Sequence, residues 1–129
     1  MSVCNICDTN LEYDLKDFLT LDEIRTFREG LICKECGSIS RDRIMMWVLA
    51  NTNFKTSNLS SIPENKNIRI LESTATRGHT KILDSKFEYF NTIFDPNAIK
   101  ENIDPKKYAD FQKLHFIDNY FDYILASDV

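Results

Sequence analysis

Every cysteine in the chain belongs to one of two C-x-x-C steps, Cys4/Cys7 and Cys33/Cys36. Two residues between cysteines let both sulfurs of a turn face one ion. Two such steps complete the tetrahedron that zinc prefers in closed structural sites. The competing chemistries are disulfide pairing and a redox dithiol. The first three residues have neither the charged nor the apolar segment of a secretory leader, which points to a reducing, cytoplasmic setting where disulfides are disfavoured. A redox dithiol calls for one pair at a strand-to-helix junction, not two matched pairs. A structural four-thiolate zinc site is therefore the expectation.

A second group of residues could bind a ligand by accepting hydrogen bonds. Glu72 precedes Ser73-Thr74-Ala75-Thr76-Arg77-Gly78, a run of mostly small residues, and Asp95 follows Gly78 by seventeen positions. That is close to the spacing at which an acid reaches ribose hydroxyls in dinucleotide-binding folds, where two neighbouring hydroxyls offer a carboxylate two donors. With one glycine, the run reads equally well as an ordinary strand-to-helix turn. His79 and His115 have no partner at metal-ligand spacing, and the four cysteines already satisfy one zinc. His79, beside the small-residue run, is the better candidate for a direct role.

Charge argues against a nucleic-acid role for the cysteine module. Residues 1–40 carry eight acids against four bases, and this excess accounts for the whole formal charge of −4. Four thiolates on a divalent ion add more negative charge, and the rest of the chain is balanced. No basic face answers a phosphate backbone. No apolar run is long enough to span a bilayer, so no membrane partner is expected.

These residues need elements to position them. Residues 10–28, between the cysteine pairs, carry Leu11, Leu15, Phe18, Leu19, Leu21, Ile24 and Phe27 in a mixed helical spacing with a turn near 20–22, and should pack over the zinc site. After Gly37, Ser38 or Ser40 can cap a helix over 41–49, whose Ile44, Met45, Trp47, Val48 and Leu49 form a broad docking face. The Met45–Trp47 cluster is expected in the core. Arg41 and Arg43 are expected either at the surface or as bridges from the cysteine module to a second domain. Residues 51–67 have linker composition. Beyond them, 68–72 reads as a strand, 80–87 as helix, 89–94 as a strand and 121–127 as another, with a helical turn at 99–103 and a short strand or loop at 108–114. Strands alternating with helix-length gaps predict an α/β fold with a largely parallel sheet and flanking helices.

The paired C-x-x-C steps, Cys-Gly-Ser-Ile-Ser-Arg-Asp-Arg at 36–43, Ile-Leu-Glu-Ser-Thr-Ala-Thr-Arg-Gly-His at 70–79 and Asn-Tyr-Phe-Asp-Tyr-Ile-Leu-Ala-Ser-Asp-Val at 119–129 carry a resemblance. The chain resembles a zinc-ribbon-bearing class I S-adenosylmethionine-dependent methyltransferase, most of all the type 11 group. The resemblance spans nearly the whole chain and is most specific over 108–129. It implies a zinc ribbon and linking helix at 1–50, a linker at 51–67, and the first half of a Rossmann-like cofactor domain at 68–129. It further implies that Glu72 ends the first strand near the methionine moiety and that Gly78 is the last glycine of the cofactor loop. Asp95 would hold the ribose, Asp110 with Phe111 would lie beside the adenine, and Ser127-Asp128 would stand where the fourth strand meets cofactor and substrate. Thr74 and Thr76 occupy the two earlier glycine positions of that loop. The implied cofactors are S-adenosylmethionine and structural Zn2+, and the implied acceptor is a small molecule or glycan rather than nucleic acid. No catalytic base is assigned.

Members of that family continue past the fourth strand, whereas this sequence stops at Val129. The expectation is an apolar edge at 121–127 that would pair with a partner strand, self-associate, or continue into further chain. Two functions stay open: methyl transfer, with this chain supplying the ribbon and cofactor-binding half, or a non-catalytic zinc-binding interaction module with a degenerate nucleotide-type domain.

Overall fold

The computed structural model describes residues 3–11, 32–74, 76–101, 103–104 and 107–126. The apolar stretch expected over the zinc site at 10–28 falls almost wholly outside them, as do Ser127 and Asp128. The chain forms two compact units. One comprises Met1–Pro63 with Arg77–Ile82, the other Glu64–Thr76 with Leu83–Val129.

The first unit is organised by two turns, each around one cysteine pair, and by helix α1, Ser40–Phe54. Neither Ser38 nor Ser40 caps α1. The N-cap is Ile39, whose backbone N–H donates to Asp42 Oδ2 at 3.1 Å, the carboxylate half of a capping box. Ser38 is unavailable because its hydroxyl contacts cysteine sulfur. The helix also runs longer than expected. It ends where Lys55 takes a left-handed conformation (φ 55°) and its N–H closes onto Ala50 O.

The face that α1 buries differs from the one the apolar count suggested. Asp42, Arg43, Met46, Leu49 and Ala50 are buried, at helical spacing, while Ile44, Trp47 and Val48 are 63%, 48% and 48% exposed. Buried Arg43 decides this rotation: its guanidinium donates to Ser38 O and Ser38 Oγ, and to Ser40 Oγ at 3.2 Å. It is therefore not a surface charge, and it braces the start of α1 inside the first unit. Met46 alone of the Met45–Trp47 cluster is fully buried.

Residues 51–67 are not a linker throughout. Residues 51–54 complete α1, and a 3₁₀ turn at Leu59–Ser61 comes next. Leu59 and Ile62 are buried to 0% and 1% exposure, and Leu59 N–H donates to Asn5 O at 2.8 Å. Two apolar anchors in an otherwise polar, solvent-facing stretch leave its composition linker-like while fixing its path.

The second unit contains a parallel sheet of three strands, β1 (Arg69–Ser73), β2 (Glu88–Thr92) and β3 (Tyr123–Ala126), in the order β2-β1-β3. Helix α2, Thr80–Lys86, lies between β1 and β2 in sequence, and α3, Pro96–Lys100, comes after β2. Central β1 buries Ile70, Leu71 and Glu72, as a strand paired on both sides should. The register places Ile70, Glu72, Tyr89, Asn91, Tyr123 and Leu125 on one face and Leu71, Phe90 and Ile124 on the other. On the second face Phe90 meets Phe116, Tyr120 and Phe121 edge-on, at centroid distances of 5.3–6.0 Å, and the Arg69 guanidinium lies 4.4 Å over the Tyr120 ring. Asp122 aligns the entry to β3: its N–H donates to Arg69 O, and its carboxylate accepts from Arg69 N–H.

Two short elements differ from expectation. The helical turn placed at 99–103 begins three residues earlier because Asp95 and Pro96 form an N-cap followed by a proline at the first helical position. Residues 108–114 make one parallel bridge, Ile93 to Tyr108, flanked by bonds from Ile93 N–H to Lys107 O and from Ala109 N–H to Ile93 O. No described helix is long and apolar enough to cross a membrane.

Candidate functional site

The cysteine turns are built on one repeated pattern. In the first, Cys4 N–H donates to Thr9 O and Asp8 N–H to Cys4 O; in the second, Cys33 N–H donates to Ser38 O and Gly37 N–H to Cys33 O, all at 2.8 Å. The residue after the second cysteine is left-handed in both, Asp8 at φ 64° and Gly37 at φ 74°. The residue after that supplies a hydroxyl to sulfur: Thr9 Oγ1 lies 2.9 Å from Cys7 Sγ, and Ser38 Oγ lies 3.1 Å from Cys36 Sγ. The motif is thus C-x-x-C, a left-handed residue, then Thr or Ser, and it occurs twice.

The turns bring all four sulfurs within 4.8 Å of one another. Cys4 and Cys36 stand 3.8 Å apart, and Cys7 and Cys33 3.7 Å. A disulfide would need about 2.05 Å. Tetrahedral zinc with Zn–S bonds of about 2.3 Å separates its ligands by about 3.8 Å, so the sulfur cluster fits a thiolate-bound metal ion such as zinc. Cys4 and Cys33 are buried and Cys7 and Cys36 half-buried, and four cysteines supply the full ligand set of a structural zinc centre. Burial pushes the Cys36 thiol up to about 12 and also raises Cys7. Burial acts on Cys33 in the same sense, but backbone N–H donors from Cys36 and Glu35 and the neighbouring thiols outweigh it and bring that group down to about 6.

Gly78 belongs to this unit and sits directly against the second turn. A Cβ on Gly78 would lie 2.6 Å from Cys36 O, 2.9 Å from Cys36 Sγ and 3.0 Å from Cys36 Cβ. Its neighbour Arg77 places Nη1 3.8 Å from Asp42 Oδ2, and His79 is fully buried. Packing against the cysteine turn is thus a sufficient reason for glycine at this position.

In the second unit, the residues expected to bind a ligand lie in β1 and in the segments that follow β1 and β2. Glu72, on β1, is 1% exposed and accepts a hydrogen bond from Tyr89 Oη at 2.5 Å. Burial, then the adjacent Glu72 charge, pushes the Tyr89 phenol well above its usual range. Thr74 N–H donates to Asn91 Oδ1 at 3.3 Å, which ties the start of the loop to β2, and Thr76 is exposed. Asp95 lies just past β2 and caps α3, with Oδ1 accepting from the N–H groups of Asn97 and Ala98. The Ile93–Tyr108 bridge brings the chain back beside β2, where Asp110 Oδ1 accepts from Gln112 N–H in a turn and Phe111 is half-buried. Ser127 lies outside the described residues. His115 is exposed and tilted against Phe116 at 4.3 Å.

Sequence reasoning overlooked Thr9, Ser38, Tyr89 and Asn91. The first two carried a signal, a hydroxyl residue two places after each second cysteine. Tyr89 and Asn91 carried none, since only the parallel register sets them beside Glu72 and Thr74. No family model matches the chain, and no curated protein or solved structure matches it.

Proposed function

We propose that the chain holds one structural zinc ion through Cys4, Cys7, Cys33 and Cys36, and binds S-adenosylmethionine at the carboxyl ends of its sheet for methyl transfer to a small molecule or glycan. The observation that carries the second half of this reading is strand order. Counting the segment bridged to Ile93, the order runs 107–109, β2, β1, β3, which corresponds to 3-2-1-4 in doubly wound Rossmann-like sheets. Ligands of such sheets bind beyond the carboxyl ends, where the order reverses, and Glu72 stands at the end of the strand beside that point.

When bound, the cofactor would supply an electrophilic sulfonium methyl. The acids of this chain would do the holding. Both cap bonds of Asp95 fall on Oδ1, leaving Oδ2 to accept from ribose hydroxyls. Asp110 and Phe111 would face the adenine, and Glu72, held by Tyr89, would fix charge near the methionine moiety. The contribution to rate is alignment of acceptor, methyl and leaving sulfur.

A second reading, a non-catalytic zinc-binding interaction module, is favoured by the loop. Its one glycine packs on Cys36, and Thr74 N–H is already bonded to Asn91. Isothermal titration of the zinc-loaded chain with S-adenosylmethionine and S-adenosylhomocysteine separates the two readings. Saturable heat with either supports methyl transfer, and its absence leaves the interaction module. Asp95→Asn keeps a good helix cap but removes the charge, so it should weaken binding at least tenfold. Asp104→Ala should not, and equal effects would remove the ribose assignment.

A further inference from the structure

The segment Arg77–Ile82 lies between β1 and β2 in sequence, yet it folds with the cysteine turns. Among the described residues, two contacts hold it to that unit and a third closes it on itself. The missing side chain of Gly78 lets the backbone close onto Cys36, where any Cβ would meet the carbonyl oxygen at 2.6 Å and the sulfur at 2.9 Å. The Arg77 guanidinium reaches Asp42 Oδ2, the same oxygen that caps α1 through Ile39 N–H. The Thr80 hydroxyl closes the turn on itself, donating to Arg77 O at 2.8 Å and standing 3.2 Å from Arg77 N. His79 and Thr80 are buried in consequence.

The position of this segment is therefore referred to Cys36. Among the described residues, the backbone of the second cysteine turn closes through two bonds, Cys33 N–H to Ser38 O and Gly37 N–H to Cys33 O. A metal ion joining Cys36 to the other three sulfurs would fix it far more firmly, because ligand binding free energy at such sites is folding free energy. We infer that the thiolate-bound metal is the clamp on Arg77–Ile82, so that metal occupancy decides whether the turn opening α2 is ordered. The site would take a thiophilic divalent cation, Zn2+ among the common ones. The inference does not depend on what the strand ends bind.

Amide hydrogen exchange on the full chain, loaded with Zn2+ and then stripped by a strong chelator, tests this clamp. The expected result is at least a tenfold loss of protection at 33–43 and 77–82, with β1 (69–73) and β2 (88–92) unchanged. Unchanged exchange at 77–82 would overturn the inference, and so would simultaneous loss at β1 and β2, which would mean the metal holds the whole chain and not this segment. The reciprocal test is Gly78→Ala. The intruding methyl displaces Cys36 and should lower Zn2+ affinity at least tenfold in competition with a chromophoric chelator; unchanged affinity would refute the coupling. Should that variant fail to accumulate folded, the exchange experiment on the native chain still decides.

Discussion

Tyr89→Phe isolates one interaction whose size and pH dependence both derive from the structure. The substitution keeps the ring and removes only the hydroxyl that donates to the buried carboxylate of Glu72. A hydrogen bond to a charged group contributes about 1.5–3 kcal/mol, and a buried acceptor that loses a donor incurs a desolvation cost of the same order. The expected loss at pH 7 is therefore about 2 kcal/mol, or roughly 5–10 °C in melting temperature for a chain of this size. The alkaline side supplies the sharper test. The phenol is raised in the folded state above its ordinary value of 10.0, by burial first and then by the Glu72 charge. A group raised in this way stabilises fully below its unfolded pKa and loses that contribution as pH climbs, because the unfolded chain ionises while the folded one does not. By pH 11 the loss from this one residue is roughly 1.4 kcal/mol. The deficit of Tyr89→Phe relative to the native chain should shrink by that amount between pH 9 and pH 11, since phenylalanine has no proton to lose. Urea denaturation followed by circular dichroism at pH 7, 9 and 11 measures both quantities. A deficit below about 0.5 kcal/mol at pH 7, or one that stays constant to pH 11, would show that the phenol does not serve Glu72 as described.

Three further outcomes are expected. Ser38→Ala and Thr9→Ala should each lower Zn2+ affinity by about 10–100-fold through loss of a hydroxyl beside sulfur. Ser38→Ala should be the stronger, because its Oγ also accepts from Arg43; competition with a chromophoric chelator measures both. Leu59→Ala should cost about 2–5 kcal/mol, whereas Ile44→Ser, at an exposed site on α1, should cost less than about 0.5 kcal/mol, as thermal melts would show. Asp95→Ala should destabilise by about 1 kcal/mol through loss of the α3 cap, whether or not a ligand is present, and Asp95→Asn by much less.

What could be read from the sequence was whatever rests on local spacing. Paired C-x-x-C steps specify converging sulfurs whatever the surrounding fold, and β1, α2 and β2 were found to within one or two residues because their apolar runs are short and bounded. The misplaced features depend on partners distant in sequence. The buried face of α1 is chosen by Arg43 reaching back to Ser38, which no count of apolar residues reveals. The linker-like stretch after α1 is anchored by Leu59 to Asn5, more than fifty positions earlier. The start of α3 is legible in Asp95-Pro96, a capping acid followed by a proline at the first helical position, a local role that a ribose assignment does not call for.

Gly78 shows why a motif residue needs its neighbours before it is given a role. In a cofactor loop, the last glycine permits close packing of helix on strand, and the methyltransferase resemblance implies that role for Gly78. Its surroundings supply a different cause, since the atoms nearest its missing side chain are all from Cys36. The two causes predict opposite responses to Gly78→Ala. If helix-to-strand packing demands the glycine, the substitution should perturb β1 and any ligand at its carboxyl end while leaving Zn2+ affinity intact. If Cys36 demands it, Zn2+ affinity should fall first and the amides of β1 should keep their protection. A 2.6 Å approach to a carbonyl oxygen is too close for a Cβ unless Gly78 or the turn that presents the Cys36 sulfur moves, and that places the first damage at the cysteine turn rather than at β1.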